Sequence, residues 1–330
     1  MTGVLNDRHI APRPDVRQNG SHRLTRARFR LGSAIERGDN SARLLDVNYQ
    51  TSLLPQSSEA TLQGWKGLLS ISELMPDYLA RFETVNARDV MAFMVSDANN
   101  PSSILNCLRA ARENARAVRG ALTTEVWETM NQTWLEYNRL VKEGALEKDP
   151  GELFEWVKFR SHLSRGVTLG TMLQDESFHF QRIGTFLERA DNTTRLFRHH
   201  LEAFAAPDET GRPSYYAWAA LLRALSAFEA YRDIYSDSLS VHHIGELLLL
   251  RHDLPRSLHA CIEELDLILA GLPGSTGRAA QRMAAELNAR LRYTAIDEIL
   301  DAGLHPWLSD FIGRINQLGQ AVHHSYLEVV

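Results

Sequence analysis

A fourteen-residue stretch occurs twice in this chain, and the part that is kept is its polar residues. Gly32-Ser33-Ala34-Ile35-Glu36-Arg37-Gly38-Asp39-Asn40-Ser41-Ala42-Arg43-Leu44-Leu45 returns as Gly184-Thr185-Phe186-Leu187-Glu188-Arg189-Ala190-Asp191-Asn192-Thr193-Thr194-Arg195-Leu196-Phe197. Seven of the fourteen pairs are identical, and six of the seven are Gly, Glu, Arg, Asp, Asn and Arg. A duplicated core helix ordinarily keeps its apolar residues and lets its charges drift. Here the charges are held.

Read at helical period, Leu31, Ile35, Gly38, Ala42 and Leu45 form one stripe, and Gly32, Glu36, Asp39 and Arg43 a second. The later copy repeats both, with Gly184, Glu188, Asp191 and Arg195 on the polar stripe. Asp39 and Arg43, like Asp191 and Arg195, are i,i+4 pairs with the acid N-terminal, the better orientation. Glycine inside a helix is about 1 kcal/mol worse than alanine, so Gly32 and Gly184 imply a close approach to the backbone. A solvated ion-pair face contributes only about 0–1 kcal/mol per pair and tolerates Lys for Arg or Glu for Asp. The copies show no such swap. The pattern therefore favours a buried or cleft-facing network of Glu36, Arg37, Asp39, Asn40, Arg43, Glu188, Arg189, Asp191, Asn192 and Arg195, whose guanidinium forks suit carboxylate or phosphate. Structural and functional networks stand as equal alternatives at this point.

The repetition runs well beyond the motif. Glu36 and Glu188 are 152 apart, Trp65 and Trp218, like Tyr78 and Tyr231, 153, and Pro101-x-Ser103-Ile104-x-x-Cys107 and Pro255-x-Ser257-Leu258-x-x-Cys261 are 154 apart. Single insertions in loops produce such a drift. Strand-like alternation is missing. The expectation is an all-α protein of two tandem homologous helical repeats, residues 20–150 and 151–330, after a flexible extension at 1–19, forming a pseudo-twofold helical bundle. Symmetry would bring Glu36, Glu188, Arg43 and Arg195 near one another at the axis. The 154 offset also sets Arg109 opposite Glu263 and Arg112 opposite Asp266, charges that could pair the halves. Arg109, Arg112, Arg116 and Arg119 form a candidate anion-binding stripe, with local pairing to Glu113 slightly favoured. The basic start, Arg23, Arg26, Arg28 and Arg30, reads more readily as a solvated helix end.

The spacing predicts a first helix from about Ser21, helical structure from Trp65 to Phe82 interrupted near Pro76, and helix starts after Asn99-Asn100-Pro101 and at Thr123. Asp149-Pro150-Gly151 marks a mid-chain break. Further helices are predicted from Glu152 to Arg165, through the second motif to about Phe204, and at 215–235, 241–250, 255–270, 276–302 and 306–326.

With 330 residues, 44% of them hydrophobic, the chain can bury a sizeable core. A net charge of −5 and a pI of about 6.2 argue against nucleic-acid binding. No apolar run reaches the ~18 residues that span a bilayer, and Arg8, Arg13 and Arg17 lead into no secretory h-region. Cys107 and Cys261 fit a reducing cytoplasm. Their matched positions would allow a bridge, but buried free thiols are favoured. No cofactor motif and no metal site is expected: no phosphate-loop, nucleophile-elbow or His-Glu-x-x-His pattern occurs. Glu176 and His179 have a di-iron spacing without a second pair. The doublets His199-His200, His242-His243 and His323-His324 read as surface residues, since neighbours on a helix point about 100° apart.

Three stretches carry a resemblance: the repeated Glu-Arg-x-Asp-Asn-x-x-Arg, Asn-Pro-Ser-Ser-Ile-Leu-x-Cys-Leu-Arg-Ala-Ala-Arg-Glu-Asn-Ala-Arg from Asn100, and Trp218-Ala-Ala-Leu-Leu-Arg223. They closely resemble the alpha-E family of bacterial helical proteins, in which the ER pair corresponds to Glu36-Arg37 and Glu188-Arg189. The resemblance covers about residues 20–326. It implies a gene context with circularly permuted ATP-grasp ligases, transglutaminase-like proteins and an N-terminal-nucleophile peptidase, and hence a role in peptide synthesis or modification. Arg28, Arg30, Ser33 and Ala34 stand where family members carry bulky groups, so the first motif is expected to be less tightly packed than the second. The leading reading is an accessory component of an amide-ligation system, presenting acid and guanidinium clefts to a peptide or to an ATP-grasp or transglutaminase-like partner. Its rivals are an enzyme using Glu188 or Glu36 as general acid/base with Arg195 or Arg43 gripping an anionic substrate, and a purely structural scaffold.

Overall fold

A computed structural model describes residues 16–203, 215–236, 238–273 and 277–328. Among them ten helices of ten residues or more carry the architecture, in two successive sets of five, the first of which runs past the expected 150/151 boundary to Thr171. The first five are α1 (Val16–Ser52), α2 (Ser58–Ile71), α3 (Ile104–Ala117), α4 (Thr124–Lys142) and α5 (Pro150–Thr171). The second five are α6 (Glu176–Ala203), α7 (Tyr215–Ala224), α8 (Leu258–Gly271), α9 (Arg278–Tyr293) and α10 (Leu304–Val322). Shorter helical pieces fill the connections, and no strand occurs among the described residues. The fold is all-α.

Local chemistry sets half of these helix starts. Ser57, Ser103, Thr123, Asp149 and Ser257 each turn a side-chain oxygen onto a backbone N–H of the first turn, and Pro150 opens α5 where its missing N–H costs nothing. The Asp149-Pro150-Gly151 break is thus a helix start. Elsewhere the boundaries move. Helix α1 begins at Val16, five residues before the expected start and through Gly20; residues 1–15 of the expected extension lie outside the described residues. Gly166 and Gly170 do not end α5. The helix expected over 215–235 breaks after Ala224, where Ser226 takes a left-handed conformation, and the one expected over 276–302 breaks at the extended Thr294.

Helix α1 lies along α6 and also packs on α3 and α5, while α6 packs on α8 and α10. One continuous apolar cluster draws on both halves, including Trp65, Tyr78, Phe154, Phe197, Trp218, Tyr231 and Phe311. Matched residues make matched bonds. Tyr78 donates its hydroxyl to the Thr84 carbonyl at 3.1 Å, and Tyr231 donates to the Ser238 carbonyl at 3.0 Å. The basic start of α1 is only partly a solvated end, because Arg26 donates to the Leu327 carbonyl and so ties that helix to the last turn of the described chain.

The glycines of the polar stripe sit where α1 and α6 come closest. A Cβ on Gly32 would overlap the carbonyl oxygen of Gln181, and one on Gly184 would overlap that of Phe29. Each glycine thus lets the opposite backbone in, and both neighbours are main chain that cannot rotate away. We expect Gly184→Ala to destabilise the protein by about 1–3 kcal/mol despite alanine's better helix propensity, through overpacking. A shift of the urea midpoint measures it, and a stabilised variant would refute the close approach.

Candidate functional site

The two ER motifs exchange partners. Arg189 on α6 grips Glu36 on α1 through two bonds, Nε to Oε1 at 2.9 Å and Nη2 to Oε2 at 3.0 Å. Arg37 on α1 grips Glu188 on α6 the same way, with both bonds at 2.8 Å. Each motif supplies the acid for the other's fork, and the closeness that Gly32 and Gly184 allow brings the side chains within reach.

Around Glu36 the arrangement is closed. Glu36 and Asp39 have no exposed surface, and Asn40, Arg43, Arg189 and Arg256 are buried. Arg165 of α5 donates to Glu36 at 3.0 Å and to Asp39 at 3.1 Å. Arg256, in the turn before α8, lies 3.1 Å from Glu36 and donates to Asp39 at 2.6 Å and to Asn40 at 2.9 Å. Arg43 completes the set on Asp39 at 3.2 Å and reaches Ser226 and His162. Burial alone would push the Glu36 carboxyl up, but Arg256, Arg189 and Arg165 outweigh it and hold the group below the usual carboxylate range. Asp39 is lowered in the same way, burial being outweighed by Arg256, Arg43 and Arg165. Burial and the neighbouring guanidinium of Arg165 lower the pKa of His162, which favours its neutral form.

Around Glu188 the arrangement is open. Glu188, Asp191, Asn192, Arg37 and Arg195 line a cavity of about 310 Å³, together with Glu73 and Ser102. Arg195 pairs with Asp191 at 2.7 Å and with Glu73, as Arg43 pairs with Asp39 and Ser226. Glu73 and Ser226 occupy matched positions, and both adopt left-handed backbone, which is unfavourable by about 1–2 kcal/mol for a residue with a side chain. The difference between the centres lies in two arginines. Where Arg256 follows Pro255, Ser102 follows Pro101. In α5 Phe154, Val157, Ser161 and Ser164 are buried, and in α10 so are Leu308, Phe311, Ile315 and Leu318, each 154 residues on, which sets Gly319 opposite Arg165. A second opening, of about 520 Å³, lies over Glu188 and Asp191 on that side, lined by Asn316, Gly319 and Gln320.

All ten motif residues therefore fall in or beside the two centres, but not as expected. The first motif is the tightly packed one, because Arg165 and Arg256 roof it; the second is partly exposed. Arg43 and Arg195 turn to their own aspartates and not to the glutamates at the helix crossing. The arginine stripe does not act as one face: Arg112 donates to Asn131 and Glu113, Arg116 leans on Glu113, and Arg119 covers Trp127. Nor do the halves pair through Arg112 and Asp266, since Asp266 accepts from Asn288; no ion pair joins Arg109 to Glu263 among the described residues. Cys107 and Cys261 are buried free thiols, and burial pushes both up to about 12. His199 and His200 are half-buried rather than exposed, and burial lowers His200 to about 4. Arg165, Arg256, Ser226 and Glu73 were missed. The signal for Arg256 was in the sequence, as the one unmatched residue inside an otherwise matched Pro-x-Ser.

A helical protein whose two halves each present a Glu-Arg motif to the other is the class that this geometry defines. The chain belongs to the Alpha-E family, described as a predicted alpha-helical domain with a conserved ER motif, whose model matches residues 24–327. It is 25% identical over 317 residues to uncharacterised proteins of Mycobacterium bovis and Mycobacterium tuberculosis, an alignment covering 87% of this chain and 34% of each relative. The chain spans about a third of the length of the curated relatives it matches. No solved structure was found to match it. No described helix is long and apolar enough to cross a membrane.

The two centres should respond differently to losing their glutamate. Glu36→Gln leaves buried guanidiniums without their counter-charge and should be destabilising by about 3–5 kcal/mol, whereas Glu188→Gln, in the partly exposed centre, should change stability by no more than about 1 kcal/mol. Because the Glu36 and Asp39 values are depressed on folding, their contribution is complete above the ordinary carboxylate values of 4.5 and 3.8 and is lost as pH falls through the folded ones. The urea midpoint should therefore fall on acidification, and Glu36→Gln should flatten that fall.

Proposed function

We propose that this chain is a non-catalytic recognition component of a bacterial amide-ligation system, and that the Glu188 centre receives a peptide or protein partner. The observation that carries the reading is the contrast between the centres: one is filled by the chain's own arginines, and its counterpart is a cavity of about 310 Å³. The scaffold reading is kept for the Glu36 centre alone, which ties α1, α5, α6 and the turn before α8 together.

Several features weigh against catalysis by the motif itself. A general acid or base works best with a pKa near the working pH, and Glu36 is held far below it. Glu188 is engaged by both arms of the Arg37 fork, and the cysteine thiols are buried and pushed up to about 12. The remaining acid and amide groups of the open centre are suited to holding a charged side chain. The partners proposed, a circularly permuted ATP-grasp ligase and a transglutaminase-like protein, follow from the family resemblance, as does action in the cytoplasm.

Co-purification with the ATP-grasp protein of the same organism, then ATP turnover with and without this chain, tests the reading. Partner binding or turnover should depend on the chain, and Glu188→Gln should impair it while the fold is unchanged by circular dichroism. Indifference of both binding and turnover to this protein would reject it.

A further inference from the structure

We propose that the open centre takes the guanidinium of an arginine side chain, presented by a peptide or protein partner, in the space that Arg256 fills in the closed centre. This identification rests on the reading of the Glu188 centre as a recognition site and names what it recognises.

The closed centre is an internal version of the complex proposed for the open one. Arg256 is held by three groups, Glu36, Asp39 and Asn40, with polar atoms 2.6–3.1 Å away. Their matched residues are Glu188, Asp191 and Asn192, and all three line the cavity. Of the three cations that accompany Arg256, Arg189 and Arg43 have counterparts there, Arg37 and Arg195, each already neutralised by a carboxylate, while Arg165 has only Gly319 opposite it. The counterpart of the Arg256 guanidinium is missing as well, because the chain offers Ser102 at that place.

Charge points the same way. In the closed centre Arg43, Arg165, Arg189 and Arg256 face Glu36 and Asp39, an excess of two positive charges. In the open centre Arg37 and Arg195 face Glu188, Asp191 and Glu73, an excess of one negative charge. One incoming cation neutralises it. The acceptors are spread over two carboxylates and an amide carbonyl, which suits a planar fork of several donors better than the point charge of an ammonium group. No bond is made or broken; the site binds.

Calorimetric titration of the full chain with acetyl-Gly-Arg-Gly-amide, its citrulline and lysine counterparts, and free L-arginine tests this. The arginine peptide should bind saturably and weaken with salt, and the citrulline peptide, isosteric but neutral, should bind at least about tenfold more weakly. Free arginine binding as tightly as the peptide would assign the site to the amino acid and overturn the peptide source. Ser102→Arg supplies the missing group from within and should lower peptide affinity at least about tenfold while keeping or raising thermal stability. If that variant does not fold, Asp191→Asn is measured in its place and should weaken the arginine peptide more than the citrulline one. Equal binding of arginine and citrulline peptides, or no saturable binding to wild type, overturns the proposal. Loss of arginine binding with partner co-purification intact rejects the guanidinium alone, whereas arginine binding without any partner rejects the amide-ligation reading alone.

Discussion

A carboxylate with no exposure to water is tolerable only where opposite charge and hydrogen bonds replace its hydration. Glu36 meets that condition through guanidiniums from three separate parts of the chain, Arg165, Arg189 and Arg256. The rest of the architecture follows from this demand. Helices α5 and α6 and the turn before α8 must each hold its place for the buried carboxylates to be paired, and none of them can shift without loosening that pairing. Such a centre adds little net stability compared with an apolar core of the same volume. What it fixes is the register of α1 against α6.

That register also rests on two absent side chains. Gly32 and Gly184 allow each helix backbone to come against the other's carbonyl, at Gln181 and Phe29. The approach is reciprocal, and so are the forks, Arg189 on Glu36 and Arg37 on Glu188. A glycine and an arginine that look unrelated in the sequence are thus parts of one contact: the first sets the helix separation, and the second closes across it.

The two centres share a set of residues and differ in enclosure. The same acids, amides and arginines recur, along with a left-handed residue, Glu73 or Ser226, that reaches the motif's last arginine. Two differences, Ser102 for Arg256 and Gly319 for Arg165, leave one copy with openings on both sides of Glu188. A sealed ion network fixes the register of a crossing, and an unsealed one leaves its acceptors beside open space.

The sequence by itself determined the all-helical class, the helix starts after Pro101 and at Thr123 and the identity of the polar residues that belong together, because periodicity and capping are local properties read along a few turns. It also announced the close approach at Gly32 and Gly184, since an unfavourable residue placed twice needs a reason. It did not determine which acid meets which base. Glu36 chooses Arg189 over its neighbour Arg37, and Arg112 chooses Glu113 and Asn131 over Asp266, because ion pairing depends on distances between elements far apart in the chain. Nor could the sequence say which motif is buried: the lack of bulk at Arg28, Arg30, Ser33 and Ala34 suggested the second, and Arg165 and Arg256 decided for the first. Only tertiary structure places a roof, because burial is a property of everything that surrounds a residue and not of the helix that carries it.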